Sequence, residues 1–350
     1  MELLFILFLF IFNIYLKKKK SKLDLYPLIV VILILYSGLR YYYGFDYENY
    51  LVHFNEINSI NDVLNTTFEK GYSLLVYLFK LLGLGFNTFL LFISFTSIKL
   101  KTAVFKKLSV LPDVSLLLYF LLFYVFNDVE QIRHGISIGF CFYSIIYFLE
   151  DNPKSKIYSF LLIVLGILFH TSAILFIPIY FIKDKIYNKK LYISLFGIAI
   201  LLSFVDYFSL LSFVNELFLH SNYIREKIAL YTTDRQSFIS LTLICKIFIL
   251  IIFYLYAFDY KDKLHRLLFN IYYIGVLYTI LLCNVPILMA RGTSFMRYAE
   301  LLMIPIYLNN IKKLPDRKIH IVISVIIFSY YFIKFITALM NPEYYYYTSI

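Results

Sequence analysis

Apolar runs separated by short polar segments make up most of this chain. About twelve runs can be distinguished, at residues 2–16, 25–39, 86–103, 114–126, 132–148, 157–169, 171–182, 191–205, 238–258, 267–289, 299–311 and 319–338. With 61% hydrophobic and 16% charged residues, the chain is more apolar and less charged than a soluble domain. The pattern predicts an all-α transmembrane bundle that forms one integral membrane domain over residues 1–350, although several runs fall short of the ~20 residues that cross a ~30 Å membrane core.

The basic residues predict the orientation of the bundle. A lysine cluster at residues 17–20 follows the first run, and such clusters mark cytoplasmic loops, so the N-terminus is expected outside. Alternation then places six segments inside, at residues 17–24, 104–113, 149–156, 183–190, 259–266 and 312–318. Counted with Lys99 and Lys101, these segments hold 22 of the 33 Lys and Arg residues. Because the net charge of +11 is distributed over short loops, no nucleic-acid partner is expected.

The predicted outer side has a different chemistry. Its two longest loops are residues 40–85 and 206–237, and it carries only three lysines. It carries six arginines: Arg40, Arg133, Arg225, Arg235, Arg291 and Arg297. Planar guanidinium groups bind phosphate and carboxylate groups in bidentate fashion. Arginine on the side that the positive-inside rule disfavours therefore suggests an anion-binding site.

The densest polar cluster is GLRYYYGFDYENY, residues 38–50, followed by FEKGYSLL, residues 68–75. It places Arg40 at the membrane boundary, with Asp46 and Glu69 as carboxylates that could act as a general base or hold a sugar. Glu69 also opens a predicted amphipathic stretch. The alternative interpretation is an interfacial tyrosine belt with ordinary solvated charges.

Two further clusters contain histidine. In NDVEQIRHGISIGF, residues 127–140, Arg133 and His134 lie at the start of a run, either as site residues or as a helix-end cap with a snorkelling arginine. In FHTSA, His170 interrupts a stretch from Ile157 to Ile182 that carries no formal charge and has lysines on both flanks. A hairpin that breaks at His170 keeps both flanks inside, and an ionisable group at such depth suggests function. The alternative is a histidine that only bonds across helices.

The fourth cluster is ARGTSFMRYAELLMIPIY, residues 290–307. Arg291 and Arg297 are expected to flank a short outer loop. Glu300 could pair with Arg297 at i,i+3 spacing, which leaves Arg291 as the freer anion ligand. Lys246 and Lys334 lie within runs and could pair inside the bundle. Signatures of P-loop, Rossmann, GxSxG and HExxH sites do not occur in the sequence, and no metal or cofactor is expected.

These segments, together with the ending NPEYYYYTSI, give a sequence that resembles the EpsG family of exopolysaccharide proteins, which are related to Wzy O-antigen polymerases. The resemblance covers nearly the whole chain in order. It implies a bundle like those of GT-C glycosyltransferases in the bacterial cytoplasmic membrane. The implied activity transfers a growing glycan from polyprenyl pyrophosphate to a lipid-linked repeat unit on the outer face, with a flippase and a chain-length regulator as expected partners.

The residues fit that reaction. Arg40, Arg133, Arg291 and Arg297, with His134, would bind the lipid-linked pyrophosphate, and Asp46, Glu69 or His170 would be the base. The tyrosine-rich outer segments suit stacking on sugar rings, which gives Tyr47, Tyr50 and Tyr72 as substrate-binding candidates. Three alternatives remain open: an O-antigen ligase-like enzyme, a membrane glycan acyltransferase, and a lipid-linked glycan flippase or transporter.

Overall fold

The computed structural model describes residues 2–42, 44, 46–205 and 241–340, and within them every regular element is helical. The helices are α1 (Glu2–Lys18), α2 (Tyr26–Gly38), α3 (Tyr47–Glu56), α4 (Ile60–Asn65), α5 (Lys70–Leu81), α6 (Phe86–Leu108), α7 (Pro112–Tyr119, continued by a π-helix, Phe120–Glu130), α8 (Ile132–Phe148), α9 (Pro153–Phe169), α10 (Ile177–Ile182, preceded by a 3-10 helix, Thr171–Phe176), α11 (Lys189–Ser203), α12 (Leu241–Tyr256), α13 (Lys263–Leu281), α14 (Pro286–Arg297), α15 (Glu300–Asn310) and α16 (Arg317–Leu339). The predicted all-α class is confirmed.

Among the described residues, four helices are long and apolar enough to cross a membrane. They are Phe86–Leu108, Lys263–Leu281, Arg317–Leu339 and the continuous stretch Pro112–Glu130. Other apolar helices are shorter; α2, for example, has 13 residues, which is roughly 20 Å at a rise of ~1.5 Å per residue. The count of about twelve segments and the outside N-terminus therefore stay predictions.

The chain divides into two compact units. Unit 1 contains residues 1–174 and 301–350, and unit 2 contains residues 175–300. In unit 1, α8 packs between α6 and α9, and α6 also packs on α2. In unit 2, α13 packs against α11, α12 and α14.

Three segments predicted to lie inside meet at one end of unit 1. Lys17 Nζ lies 2.7 Å from Asp113 Oδ2, and Lys107 Nζ lies 3.3 Å from Glu150 Oε1. These ion pairs connect residues 17–24, 104–113 and 149–156. Loops on one side of a membrane must lie at one end of a bundle, and these three do.

We predict that a cysteine introduced at the exposed Asn58 reacts with a membrane-impermeant thiol reagent in intact cells. A cysteine at the exposed Asn188 should react only after permeabilisation, because alternation places residue 188 inside. The parent protein, with its own three cysteines, is the control. External labelling at Asn188 would overturn the alternation.

Three parts of the sequence interpretation change. The run 267–289 is two helices, because α13 ends at Leu281 and Pro286 begins α14 at a first-turn position, where proline needs no N–H partner. Arg291 and Arg297 consequently lie on one helix, where a short loop was predicted. The predicted outer loop 40–85 contains α3, α4 and α5. The other long loop, 206–237, lies outside the described residues.

A buried ion pair connects α6 to the π-helix. Lys101 Nζ lies 2.6 Å from Asp128 Oδ2, and both side chains are 0% exposed. Asp128 also accepts hydrogen bonds from Tyr119 Oη and Ser97 Oγ, each at 2.5 Å. Gly135 of α8 lies against the π-helix so closely that a Cβ there would overlap the Asn127 carbonyl oxygen. Lys101 lies at the end of the run 86–103 and was counted with the inside loop; its ammonium group is in the core, where Asp128 compensates its charge.

Replacing Lys101 by methionine should lower the free energy of unfolding by about 3 kcal/mol, because Asp128 would remain buried without its counter-ion. The double variant Lys101→Met/Asp128→Leu should lose less than this. Lys107→Met is the matched control, since its ion pair with Glu150 is exposed and is worth at most about 1 kcal/mol. Denaturant unfolding of the detergent-solubilised proteins measures the difference. Equal losses of unfolding free energy in Lys101→Met and Lys107→Met would contradict the view that Lys101 compensates a buried Asp128.

Candidate active site

One face of α3 lines an open pocket of about 330 Å³ in unit 1. Asp46, Tyr50 and His53 recur at i, i+4 and i+7, so they share that face. The other lining residues are Asn49, Val52, Glu56, Thr66, Thr67, Phe68 and Arg133. Asp46 precedes the first residue of α3 and makes no side-chain capping bond. Its carboxylate is therefore available to a ligand in the pocket.

Arg133 forms one wall of this pocket from the first turn of α8. Its guanidinium lies 4.0 Å from the centroid of the Phe68 ring, and it forms an ion pair with Glu69. The His53 ring stacks on Phe68, also at 4.0 Å and with an interplanar angle of 11°. Two groups at that distance cannot share one ring face, so Phe68 separates His53 from Arg133. This stacking fixes the plane of the Arg133 guanidinium.

Glu69 connects this wall to the end of α9. One carboxylate oxygen pairs with Arg133, and the other accepts a 3.3 Å hydrogen bond from the Thr171 N–H. Glu69 also immediately precedes α5. Tyr72, Val76 and Phe79 are buried on one face of that helix, so α5 is the amphipathic stretch that Glu69 was predicted to open. With both oxygens engaged, Glu69 is suited to holding Arg133 in place.

Arg40 supplies a second guanidinium group near the same tyrosines. It follows α2, is 6% exposed and donates from Nη1 to the Ser37 carbonyl. The hydroxyl groups of Tyr50 and Tyr72 interact electrostatically with both Arg40 and Arg133. Burial lowers the pKa of Arg40, yet an arginine stays charged in proteins.

Several buried donors in this region lack a hydrogen-bond partner among the described residues. They are Arg40 Nε, Arg40 Nη2, Arg133 Nε and the Tyr72 hydroxyl. A buried cation with unfilled donors is costly, and buried polar groups in folded proteins nearly always have a partner. Glu69 pairs with Arg133 and Glu130 interacts electrostatically with Arg40, and the donors that stay unfilled suit the oxygen atoms of a ligand.

The His53 imidazole is neutral, with Nε2 as its hydrogen-bond donor and Nδ1 as its acceptor. Ser73 Oγ donates to the Glu69 carbonyl at 3.2 Å, so it accepts the 3.0 Å bond from His53 Nε2. Burial and the nearby Arg133 charge lower the pKa of His53 to about 4. His53 Nδ1 is therefore unprotonated near neutral pH, and can accept a hydrogen bond from a hydroxyl group in the pocket.

His170 lies beside His134. Helix α9 ends at Phe169, as the predicted break requires, and His170 adopts an extended backbone conformation. The two imidazole rings are edge to face with centroids 4.7 Å apart, and both are buried. His170 Nδ1 accepts a 3.3 Å hydrogen bond from the Ser172 N–H, so its proton is on Nε2. To act as a base His170 would have to lose that bond.

The three tyrosines that were expected to stack on sugars are buried. Tyr47, Tyr50 and Tyr72 are at most 3% exposed. Tyr47 packs edge to face on Phe86, and Tyr72 packs in the same way on Phe89. Their rings belong to the aromatic core that supports the pocket, and burial raises the pKa of all three hydroxyl groups.

Most of the remaining predicted residues lie in unit 2. Arg297 Nε lies 3.3 Å from Glu300 Oε1, which confirms the expected i,i+3 pair, and Tyr272 Oη donates to the same oxygen at 2.7 Å. Arg291 is exposed on α14. Lys246 donates to Thr279 Oγ1 at 2.6 Å, whereas Lys334 belongs to unit 1 and lies 5.3 Å from the Tyr330 ring centroid.

The EpsG family model matches residues 23–349, nearly the whole chain. The chain belongs to the EpsG family. This is a Wzy-like polymerase family, which assigns the protein to bacterial polysaccharide machinery and to an exopolysaccharide or O-antigen polymerase type of function. No curated protein and no solved structure matches the chain.

In this EpsG-family protein, the site brings together residues that lie far apart in the sequence. Glu69 contacts both Arg133 and Thr171, next to His170. His53 is a pocket residue that the sequence analysis did not single out. The i, i+4, i+7 spacing of Asp46, Tyr50 and His53 was the signal that could have identified it. Within the described ranges, no group of three or more His, Cys, Asp or Glu side chains is arranged to hold a metal ion.

Proposed function

We propose that this protein is a glycosyltransferase that polymerises a cell-surface polysaccharide on the outer face of the bacterial cytoplasmic membrane. Its donor is a glycan on polyprenyl pyrophosphate, and its acceptor is a lipid-linked repeat unit. The observation that carries the proposal is the pair of guanidinium groups with unfilled donors, Arg40 and Arg133. Arg133 lines the pocket that contains the carboxylate of Asp46, and both arginines interact electrostatically with Tyr50 of the same pocket. The family match supports the substrate class.

In the proposed reaction the acceptor hydroxyl oxygen forms a bond to the anomeric carbon of the donor. The bond between that carbon and the pyrophosphate oxygen breaks, and its electron pair leaves with the pyrophosphate. Arg40 and Arg133 stabilise the negative charge of the leaving group. The hydroxyl proton goes to Asp46. His53 Nδ1 accepts a hydrogen bond from a sugar hydroxyl group and so orients the sugar.

Glu69, His134 and His170 act as positioning residues in this proposal. Glu69 orients Arg133 through their ion pair, and the paired imidazoles support the end of α9 that supplies the Thr171 N–H. Arg291 and Arg297 belong to unit 2 and stay predicted anion ligands. Arg297 is already paired with Glu300, which makes Arg291 the more available of the two. A flippase that delivers the lipid-linked unit and a chain-length regulator are the proposed partners.

Deletion of the gene in its host, followed by electrophoresis of the surface glycan, tests the proposal. A polymerase deletion should leave a single repeat unit on the lipid core. Loss of every repeat would contradict polymerisation and indicate ligation or export, and full-length chains that lack a substituent would indicate acylation.

Arg291→Lys is expected to shorten the glycan chains by a smaller factor than any change at Arg40, because Arg291 is exposed and exposed charges contribute less. Arg317→Lys is the control, because Arg317 is an exposed arginine at the start of α16 to which the proposal gives no role. Measurement is by glycan electrophoresis at equal protein level. Unchanged chain lengths in Arg291→Lys would remove Arg291 from the proposed ligands.

A further inference from the structure

Unit 2 contains a groove that the proposed reaction does not use. It has a volume of about 410 Å³ and lies between α11 and α12, with α13 as its base. Apolar side chains line most of it, and two of them, Ile193 and Leu255, are 71% and 59% exposed. A groove of this composition in a membrane protein accommodates a hydrocarbon chain.

One end of the groove is polar and positively charged. Lys189 lines the groove and interacts electrostatically with Tyr260. The hydroxyl groups of Tyr254 and Tyr260 lie 2.8 Å apart and are exposed. Lys189 forms no ion pair with a carboxylate among the described residues. An ammonium group and two hydroxyl groups beside an apolar groove have the chemistry that suits a phosphate attached to a hydrocarbon chain.

The loops that carry this end have further basic residues. Segments 183–190 and 259–266 are held together, because Arg266 Nη2 lies 2.8 Å from Asp184 Oδ2 and Asn270 Nδ2 donates to the carbonyls of Lys183 and Lys185 at 2.8 and 2.7 Å. These two segments also carry the exposed residues Lys185, Lys190 and Lys261. Both segments were predicted to lie inside, where anionic phospholipids give the membrane surface a negative potential.

We infer that this groove binds an anionic phospholipid, with its phosphate at Lys189 and the Tyr254 and Tyr260 hydroxyl groups and one acyl chain along Ile193 and Leu255. The positive end gives an anionic lipid an advantage over a zwitterionic one. The lipid is distinct from the polyprenyl substrate, so the inference does not depend on the proposed polymerase activity.

Native mass spectrometry of the full-length protein in a non-ionic detergent, titrated with phosphatidylglycerol, tests this inference. Wild-type protein should bind phosphatidylglycerol more tightly than phosphatidylcholine of the same acyl chains. Lys189→Gln should weaken phosphatidylglycerol binding about fivefold, the contribution of one lysine near a membrane surface. Lys190→Gln, the adjacent exposed lysine that does not line the groove, should change it much less.

Ile251→Trp separates chain binding from headgroup binding. Ile251 lines the groove and is 49% exposed, so a larger side chain fills the groove without disturbing the core. This variant should weaken the binding of phosphatidylglycerol and of phosphatidylcholine by the same factor. The protein is also titrated with a polyprenyl monophosphate in the same experiment. Tighter binding of that lipid than of phosphatidylglycerol would overturn the inference that the groove binds a phospholipid. So would equal affinity of the wild type for the two phospholipids, or equal losses in Lys189→Gln and Lys190→Gln.

Discussion

Replacing Arg40 or Arg133 by lysine is expected to reduce the yield of long glycan chains by about a thousandfold. Removal of one preorganised hydrogen-bond donor to a developing anion lowers an enzyme's rate on this scale. Arg40 is buried and Arg133 is half-buried, and each has at least one buried N–H donor that no described residue fills. Lysine supplies the charge as a single point and cannot reproduce the bidentate geometry. In Arg133→Lys the planar contact with Phe68 is lost as well.

The measurement is electrophoresis of the surface glycan in a deletion strain that carries each variant, at equal protein level. Arg317→Lys is the control, because Arg317 is exposed at the start of α16 and the proposal gives it no role. A thermal unfolding curve for each purified variant separates loss of activity from loss of fold. Wild-type chain lengths in both variants would refute the pyrophosphate assignment.

Asp46→Asn should likewise reduce polymerisation by about a thousandfold, within the range found for loss of a general base. Asparagine keeps the shape and hydrogen bonding of Asp46 but cannot accept a proton near neutral pH. Because Asp46 makes no capping bond, its replacement should leave the stability of α3 nearly unchanged. The rate of chain growth on lipid-linked repeat units, measured with purified protein, reports the effect.

His170 and Glu69 provide the comparison. His170→Gln should keep a substantial fraction of the activity, because glutamine can keep a hydrogen bond and His170 Nδ1 is already occupied by the Ser172 N–H. Glu69→Gln should raise the donor concentration needed for half-maximal rate, since it weakens the anchor of Arg133. If His170→Gln were as inactive as His170→Ala while Asp46→Asn kept activity, His170 would be the base and Asp46 would not.

The sequence by itself determined the helical class and much of the local structure. The run 132–148 and helix Ile132–Phe148 coincide, and the break at His170 followed from the length of the charge-free stretch. The Arg297–Glu300 pair was predictable because residues three apart on a helix are neighbours. In each case the spacing along one helix fixes which side chains are close.

The tertiary structure alone decided which distant residues meet. Glu69 lies 64 positions from Arg133 and 102 from Thr171, and no local pattern relates them. Lys101 was counted with an inside loop from the end of the run 86–103, because its partner Asp128 lies beyond the next run and no local pattern relates the two. The tyrosines around the pocket were expected to face the substrate, and packing placed their rings in the core. Contacts between helices depend on how entire apolar faces fit together, and hydrophobic periodicity gives the face of each helix without naming its partner.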